Sequence, residues 1–270
     1  MTDSQPPSVG QLGARQAACV DGPLDEFAAL VDACDRIVVF TGAGISTESG
    51  IPDFRSPGGI WSHHRPVSFQ DYLNDDSKRQ QAWELRIALN AVLKTAQPNA
   101  GHLAVQSWNQ RGKLSGVITQ NIDGLHQAAG VDPSSVVELH GNHHEIRCLD
   151  CLAQQDSARV EAEFRHTETV PPCKHCGGII KSSVISFGQP LPDRALAKAH
   201  ALTLQADLFV VAGSSLSVYP AAGFPELAAQ HEVPLVIVNR DATPMDAAAR
   251  LVFHCDIGPT LHAVNCLLNC

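Results

Sequence analysis

The chain has 270 residues, 44% of them hydrophobic, and a formal net charge of −9 at pH 7. A mean hydropathy of −0.04 describes a globular chain able to bury a core, which excludes the fibrous and disordered classes. The acidic balance argues against binding to nucleic acid, whose phosphates require a basic face, and suits a positively charged partner such as a lysine-rich segment.

No apolar run reaches the length of about 18 residues that a membrane helix needs, so no membrane partner is expected. The opening "MTDSQPPSVG" has neither a basic start nor an apolar stretch, so an intracellular, cytoplasmic location is the expectation. Residues 1–24 are rich in Pro and Gly without an apolar stripe and read as a flexible tail. A helix follows in "DEFAALVDACDR", then an apolar strand over Ile37–Phe40. Further strands are predicted over Gly116–Thr119, Val136–Leu139, Val184–Phe187, Leu208–Ala212 and Leu235–Asn239. Helices are predicted over Lys78–Lys94, Ala100–Gln110, Asp193–Gln205, Ala221–Gln230 and Pro259–Leu268. This alternation predicts an α/β fold with a parallel sheet covered on both faces, and ligands at the carboxyl ends of its strands. Segments 56–97 and 143–183 interrupt the alternation and read as insertions forming a smaller lobe.

The motifs sit where such a sheet would present them. "TGAGIS" follows the first strand, and its glycines suggest a tight turn with backbone N–H groups free for a phosphate, although Thr47 replaces the third glycine of the dinucleotide fingerprint. A glycine-rich turn without a ligand would look similar. In the continuation "GIPDFRS", Arg55 suits a phosphate and Phe54 a flat ring. "TQNIDGLHQ" places Gln120, Asn121 and Asp123 at a strand end, where they suit a carboxamide and ribose hydroxyls, or where Asp123 caps a helix. "VVELHGNHHE" places His140 at the next strand end as a candidate general base. His143 and His144 lie close enough to the first cysteine pair to remain possible ligands. Gly213, Ser214 and Ser215, then Asn239, Arg240 and Asp241, follow later strands and suit an adenosine or helix caps equally.

The chain contains nine cysteines, four of them in two C-x-x-C pairs. Cys148 and Cys151, with Cys173 and Cys176, have the spacing of a closed four-thiolate zinc shell; disulfides are the alternative. A closed shell leaves no position for water, so such a metal holds structure and does no chemistry. Cys19, Cys34, Cys255, Cys266 and Cys270 show no comparable spacing.

Taken together, "GAGIS..SGIPDFR", "TQNIDGLH", "LHG", the paired knuckles, "GSSLSVYPAA" and "NRD" resemble the sirtuins, the NAD-dependent protein deacylases, from about residue 25 onward. The resemblance implies a Rossmann-like part over 25–55, 98–142 and 184–270. It implies a small lobe made of a helical module over 56–97 and a zinc module over 143–183. NAD is then a cosubstrate and Zn2+ structural. Gly42, Ala43, Gly44, Ser46, Asp53, Phe54, Arg55, Gln120, Asn121, Ile122, Asp123, Gly213, Ser214, Ser215, Asn239, Arg240 and Asp241 would line the dinucleotide site. His140 would act as base, with Asn121 and Asp123 beside nicotinamide and its ribose. The partners implied are acyl-lysine proteins or peptides, lying extended against the "SSVISFGQPLP" loop, where Ile185, Phe187 and Gly188 match.

The loop departs from the family pattern: Ser182-Ser183 stands for Pro-Asp or Pro-Asn, and Gln189 for Glu. Trp83 and Arg86 have the three-residue spacing of the pair with which some sirtuins read acidic acyl groups; a core Trp with a surface Arg is the plainer reading. The resemblance implies deacylation to nicotinamide, O-acyl-ADP-ribose and free lysine. A protein ADP-ribosyltransferase and a non-catalytic NAD-binding zinc module are the alternatives.

Overall fold

The computed structural model describes residues 23–53, 59 and 65–269. Phe54, Arg55 and most of the N-terminal tail lie outside them. The helices are α1 (Leu24–Ala33), α2 (Phe69–Asn74), α3 (Asp76–Leu93), α4 (Ala100–Gln110), α5 (Leu125–Ala128), α6 (Ser157–Thr167), α7 (Asp193–Gln205), α8 (Gly223–Gln230) and α9 (Ile257–Leu267). Strands β1 (Ile37–Thr41), β2 (Leu114–Thr119), β3 (Val136–Glu138), β7 (Leu208–Ala212), β8 (Leu235–Val238) and β9 (Leu251–Phe253) form a six-stranded parallel sheet, in the order β3-β2-β1-β7-β8-β9. The remaining strands, β4 (Ile146–Cys148), β5 (Gln154–Gln155) and β6 (Ile180–Ser182), form a separate antiparallel sheet in the order β5-β4-β6. Among the described residues no helix is long and apolar enough to cross a membrane.

The two-residue period of a strand covered on both faces explains why β7 is apolar throughout and β1 is apolar up to Thr41. Ile37 and Val39 join Leu208, Val210, Trp108 and Leu261 in one core, while Val38 and Phe40 join Phe209, Val211 and Phe224 in the core on the opposite face. Each fully buried side chain of this kind contributes about 1.5–3 kcal/mol. A third core, with Tyr72, Trp83, Ile146, Val160, Phe164 and Ile180, packs α2, α3 and α6 against the small sheet. Helix starts follow local chemistry: Asp75 and Asp156 cap α3 and α6, and Asn99 forms a capping box with His102 on α4.

The order reverses direction between β1 and β7, and the crevice there is where a doubly wound sheet binds ligands. Val184–Phe187 is not a strand. The strand ends at Ser182, and the following residues form an irregular loop whose backbone bonds to other elements: Ile185 N–H donates to the His140 carbonyl at 2.9 Å, and Phe69 N–H to that of Phe187 at 2.8 Å. β9 and the three short strands have too few residues for their pattern to stand out in the sequence.

Candidate active site

A cleft of ≈ 1040 Å³ opens along the carboxyl ends of β1, β2, β7 and β8 and continues toward α3 and the loop after β6. It gathers Gly42, Ala43, Gly44, Asp53, Gln120, Asn121, Ile122 and His140 with Gly213, Ser214, Ser215, Asn239, Arg240 and Asp241. Trp83, Arg86, Ile185, Phe187 and Gly188 also line it. Ser46 and Asp123 face a recess of ≈ 30 Å³ instead, which shares Ala43, Asn121 and Ile122 with the cleft.

The glycines of "TGAG" have a different local role from the one their spacing suggests. Gly42 N–H donates to the Ala212 carbonyl at 3.2 Å and Gly44 N–H to that of Gly213 at 2.9 Å, so neither amide is held for a phosphate. The requirement is space. Gly213 sits at φ +72°, and a Cβ there would lie 2.3 Å from the Ile45 nitrogen, while one on Gly42 would lie 2.6 Å from the Gly213 oxygen. The ends of β1 and β7 thus touch backbone to backbone, and the turn leads into a short 3-10 helix over Ala43–Ser49.

Asn121 and Asp123 are tied to that turn. Asn121 Nδ2 donates to the Gly42 carbonyl at 3.1 Å and to Ser46 Oγ at 3.2 Å. Ser46 Oγ donates to Asp123 Oδ2 at 2.8 Å, and Leu125 N–H to Asp123 Oδ1 at 2.9 Å. Gly124, not Asp123, is the N-cap of α5; Asp123 stands one residue earlier and joins the first helical amide to the glycine turn. Gln120 Nε2 donates to Ser214 Oγ at 2.8 Å, joining the strand ends across the crevice. Asn239 bonds within its own turn, to the Asp241 carbonyl at 2.7 Å, and Arg240 pairs with Asp241 at 3.3 Å.

His140 Nδ1 lies 3.1 Å from the Gln120 carbonyl. A carbonyl only accepts, so Nδ1 carries the proton and Nε2 is left as a base. Burial pushes the imidazole below its ordinary pKa, and the Gln120 carbonyl pulls partly the other way. It is consequently neutral at pH 7.

The Trp83/Arg86 expectation changes. Trp83 is a core residue whose Nε1 donates to Tyr72 Oη at 2.8 Å. Arg86 is not a surface residue: it is 8% exposed, its NH2 donates to Glu161 Oε1 at 3.1 Å, and its NH1 donates to the His143 carbonyl. Asn90 Nδ2 holds the same Glu161 oxygen at 2.6 Å. The guanidinium already pairs with a buried carboxylate, so an acyl carboxylate would compete with Glu161 for it, while its buried Nε has no hydrogen-bond partner among the described residues.

The four cysteine sulfurs lie within 4.8 Å of one another, with Cys148 to Cys176 at 3.5 Å and Cys151 to Cys173 at 3.7 Å. Zn–S bonds of about 2.3 Å in a tetrahedron give edges of about 3.8 Å, so the donor set fits zinc. Backbone N–H groups of Cys151 and His175 point at Cys148 and Cys173 sulfurs, at 3.5 and 3.4 Å, as expected around thiolates. His143 and His144 are not in this cluster; His143 Nδ1 donates to the Ile122 carbonyl at 2.6 Å.

Sequence reasoning missed the residues that hold these groups: Thr41, Thr119, Tyr72, Glu161 and Lys181. Several of their partners are distant in sequence, as with Arg86 and Glu161, 75 positions apart. Thr41 and Thr119 stood inside motifs, at the heads of "TGAGIS" and "TQNIDGLHQ".

The Sir2 family model matches residues 42–220. An NAD-dependent protein deacetylase of Rhodopseudomonas palustris is 43% identical over 245 residues, covering 91% of this chain and 97% of that protein. NAD-dependent protein deacetylase 1 of Bradyrhizobium diazoefficiens is 46% identical over 225 residues, covering 83% and 88%. A solved Sir2 complex with p53 peptide and NAD+ superposes with a TM-score of 0.81 at 35% identity, covering 89% of this chain and 96% of that one.

Proposed function

The chain belongs to the Sir2 family, and from that premise we propose that it is an NAD-dependent protein lysine deacylase acting on neutral acyl groups. The observation that carries the reading is His140: a neutral imidazole in the cleft, its Nδ1 proton fixed on Gln120 and its Nε2 bare.

NAD enters as a substrate. Gly42, Gly44, Gly213 and Ser214 line its dinucleotide track, with Asn239 and Asp241 at the adenosine end and Asn121 and Asp123 around the nicotinamide ribose. Phe54 and Arg55 belong to the same reading through the sequence alone. The substrate's acyl oxygen attacks the ribose carbon bearing nicotinamide, and nicotinamide leaves. His140 Nε2 then takes the proton of a ribose hydroxyl, and the alkoxide attacks the former acyl carbon. Water completes the reaction, so that acyl-lysine, NAD and water give lysine, nicotinamide and O-acyl-ADP-ribose. The peptide lies along 182–189 by adding a strand, with Ile185, Phe187 and Gly188 beside it.

The neutral acyl preference is supported by the Arg86–Glu161 pair, because a succinyl carboxylate would compete with a buried partner for the guanidinium, leaving only its unpartnered Nε uncontested. Zn2+ on Cys148, Cys151, Cys173 and Cys176 is structural in this reading, and the location is the cytoplasm. The Gln189 departure is accommodated: its Oε1 accepts from Ser186 N–H at 3.1 Å, a role an amide oxygen fills as well as a carboxylate.

The test is mass spectrometry of reactions with NAD and one lysine peptide bearing acetyl, propionyl or succinyl groups. O-acyl-ADP-ribose with equimolar free lysine from the first two, and little from the third, is expected. An ADP-ribosylated protein in place of free lysine would make the transferase the better reading. NAD binding without nicotinamide release would favour the non-catalytic module.

A further inference from the structure

Lys181 is a buried cation that the reading above does not use. It is 5% exposed, it lines the cleft from β6, and no carboxylate pairs with it among the described residues. Burying an unpaired ammonium is costly, so its surroundings should show what compensates it. They do. Nζ donates to the Ser182 carbonyl at 3.3 Å and to the Val184 carbonyl, and it lies 5.8 Å from the centre of the Tyr72 ring. Burial lowers its pKa to about 8, which leaves most of it charged at pH 7.

The Val184 carbonyl belongs to the peptide group whose N–H is on Ile185, and that N–H donates to the carbonyl of His140 at 2.9 Å. One peptide plane is thus gripped at both ends, by a buried cation and by the backbone of the candidate base. The rest of the turn is held by one of its own side chains and by a backbone bond to a neighbouring segment: Val184 N–H on Ser182 Oγ at 3.2 Å, and Ser183 N–H on the Glu145 carbonyl at 2.9 Å. The serines that replace the family's Pro-Asp or Pro-Asn therefore supply bonds where a proline supplies rigidity, and Lys181 anchors the result.

We propose that Lys181 is a positioning residue that fixes the peptide-docking loop against His140 through the Val184–Ile185 peptide group, and so sets affinity for the acyl-peptide substrate. The inference rests on the reading of 182–189 as the docking loop. Tyr72 is part of the same device, since its hydroxyl donates to the Ile180 carbonyl at 2.7 Å and its ring faces the ammonium.

The test is Lys181→Met, which keeps the apolar stem and removes the ammonium, with Lys181→Arg as the conservative control. Lys181→Met should raise KM and Kd for acetyl-peptide at least tenfold, with KM for NAD changed less than about twofold; Lys181→Arg should recover most of the loss. Equal rises for both substrates, or peptide affinity unchanged in folded Lys181→Met, would overturn the proposal. Should Lys181→Met fail to fold, amide hydrogen exchange on the unaltered protein decides: Ile185 N–H must be protected, and exchange at the rate of an unstructured peptide refutes the grip. Absence of any acyl-peptide binding by the unaltered protein would refute the proposed function instead, which separates the two failures.

Discussion

The two sheets achieve order by different means. In the six-stranded sheet β1, β7 and β8 are buried at every position, and each face has its own apolar core. The antiparallel sheet has strands of three, two and three residues, and its core includes two of the four clustered thiols, Cys148 and Cys173. One region is stable through apolar area; the other, in the reading proposed above, through a cross-link that a metal would complete. The chemistry proposed above is divided the same way: the candidate base and the amides stand at the ends of the large sheet, whereas the proposed peptide loop follows β6, a strand that begins four residues after Cys176.

The comparison breaks most visibly at the thiols. Structural zinc contributes about 10–16 kcal/mol to small metal-folded modules, comparable to the whole stability of a domain, so Cys173→Ser should lose zinc, soluble yield and peptide binding together. Atomic absorption with circular dichroism checks this; a folded, zinc-free, active variant would contradict it. On the other side, His140→Ala should lower turnover by about 10²–10⁴-fold while NAD binding changes little, read by nicotinamide release and calorimetry. Because burial holds His140 below the ordinary value, the acid limb of the rate should fall below about pH 6.5.

The large sheet also carries an acid sensitivity. His102 and His126 lie 0% and 1% exposed beneath the cleft, and desolvation lowers them to about 4 and about 3. In the unfolded chain both take protons near pH 6.5, so the unfolded state binds more protons as pH drops below that value and stability falls with it. Two such groups cost up to about 2–3 kcal/mol by pH 5.5, seen as a falling melting temperature that a His126→Gln variant should flatten. The smallest contrast uses two glycines with the same left-handed backbone. Gly213→Ala meets the Ile45 nitrogen and should cost at least about 2 kcal/mol; Gly177→Ala, on the second thiol knuckle with open space around it, should cost about 1. Equal melting shifts would mean that the backbone approach of β1 and β7 is unimportant.

Legibility followed the same division. Leu208–Ala212, Ala100–Gln110 and Asp193–Gln205 were readable to the residue, because fully buried strands are apolar runs and surface helices keep their stripe. The two-residue β5 has no pattern to read. Val184–Phe187 looked like a strand because its apolar, β-branched run serves a loop pinned by His140, Gln189 and Phe69. At the site, strand-end placement located His140 and Asn121, but it could not show that Arg86 meets Glu161, because that pairing exists only once α3 and α6 are packed.

The parallel order of the sheet has a consequence for biosynthesis. β1 sits between β2 and β7, and its base is closed by Arg36 and Asp207, which are 171 positions apart. At ribosomal speeds of about 5–20 residues per second, the apolar run Ile37–Thr41 waits roughly 10–30 s for its second neighbour to be synthesised. Until then its open edge is a template for pairing with another nascent chain, and slow decoding between β2 and β7 lengthens the exposure. Yield in a heterologous host should therefore depend on codon choice over that interval and on chaperone supply, with the finished fold unchanged.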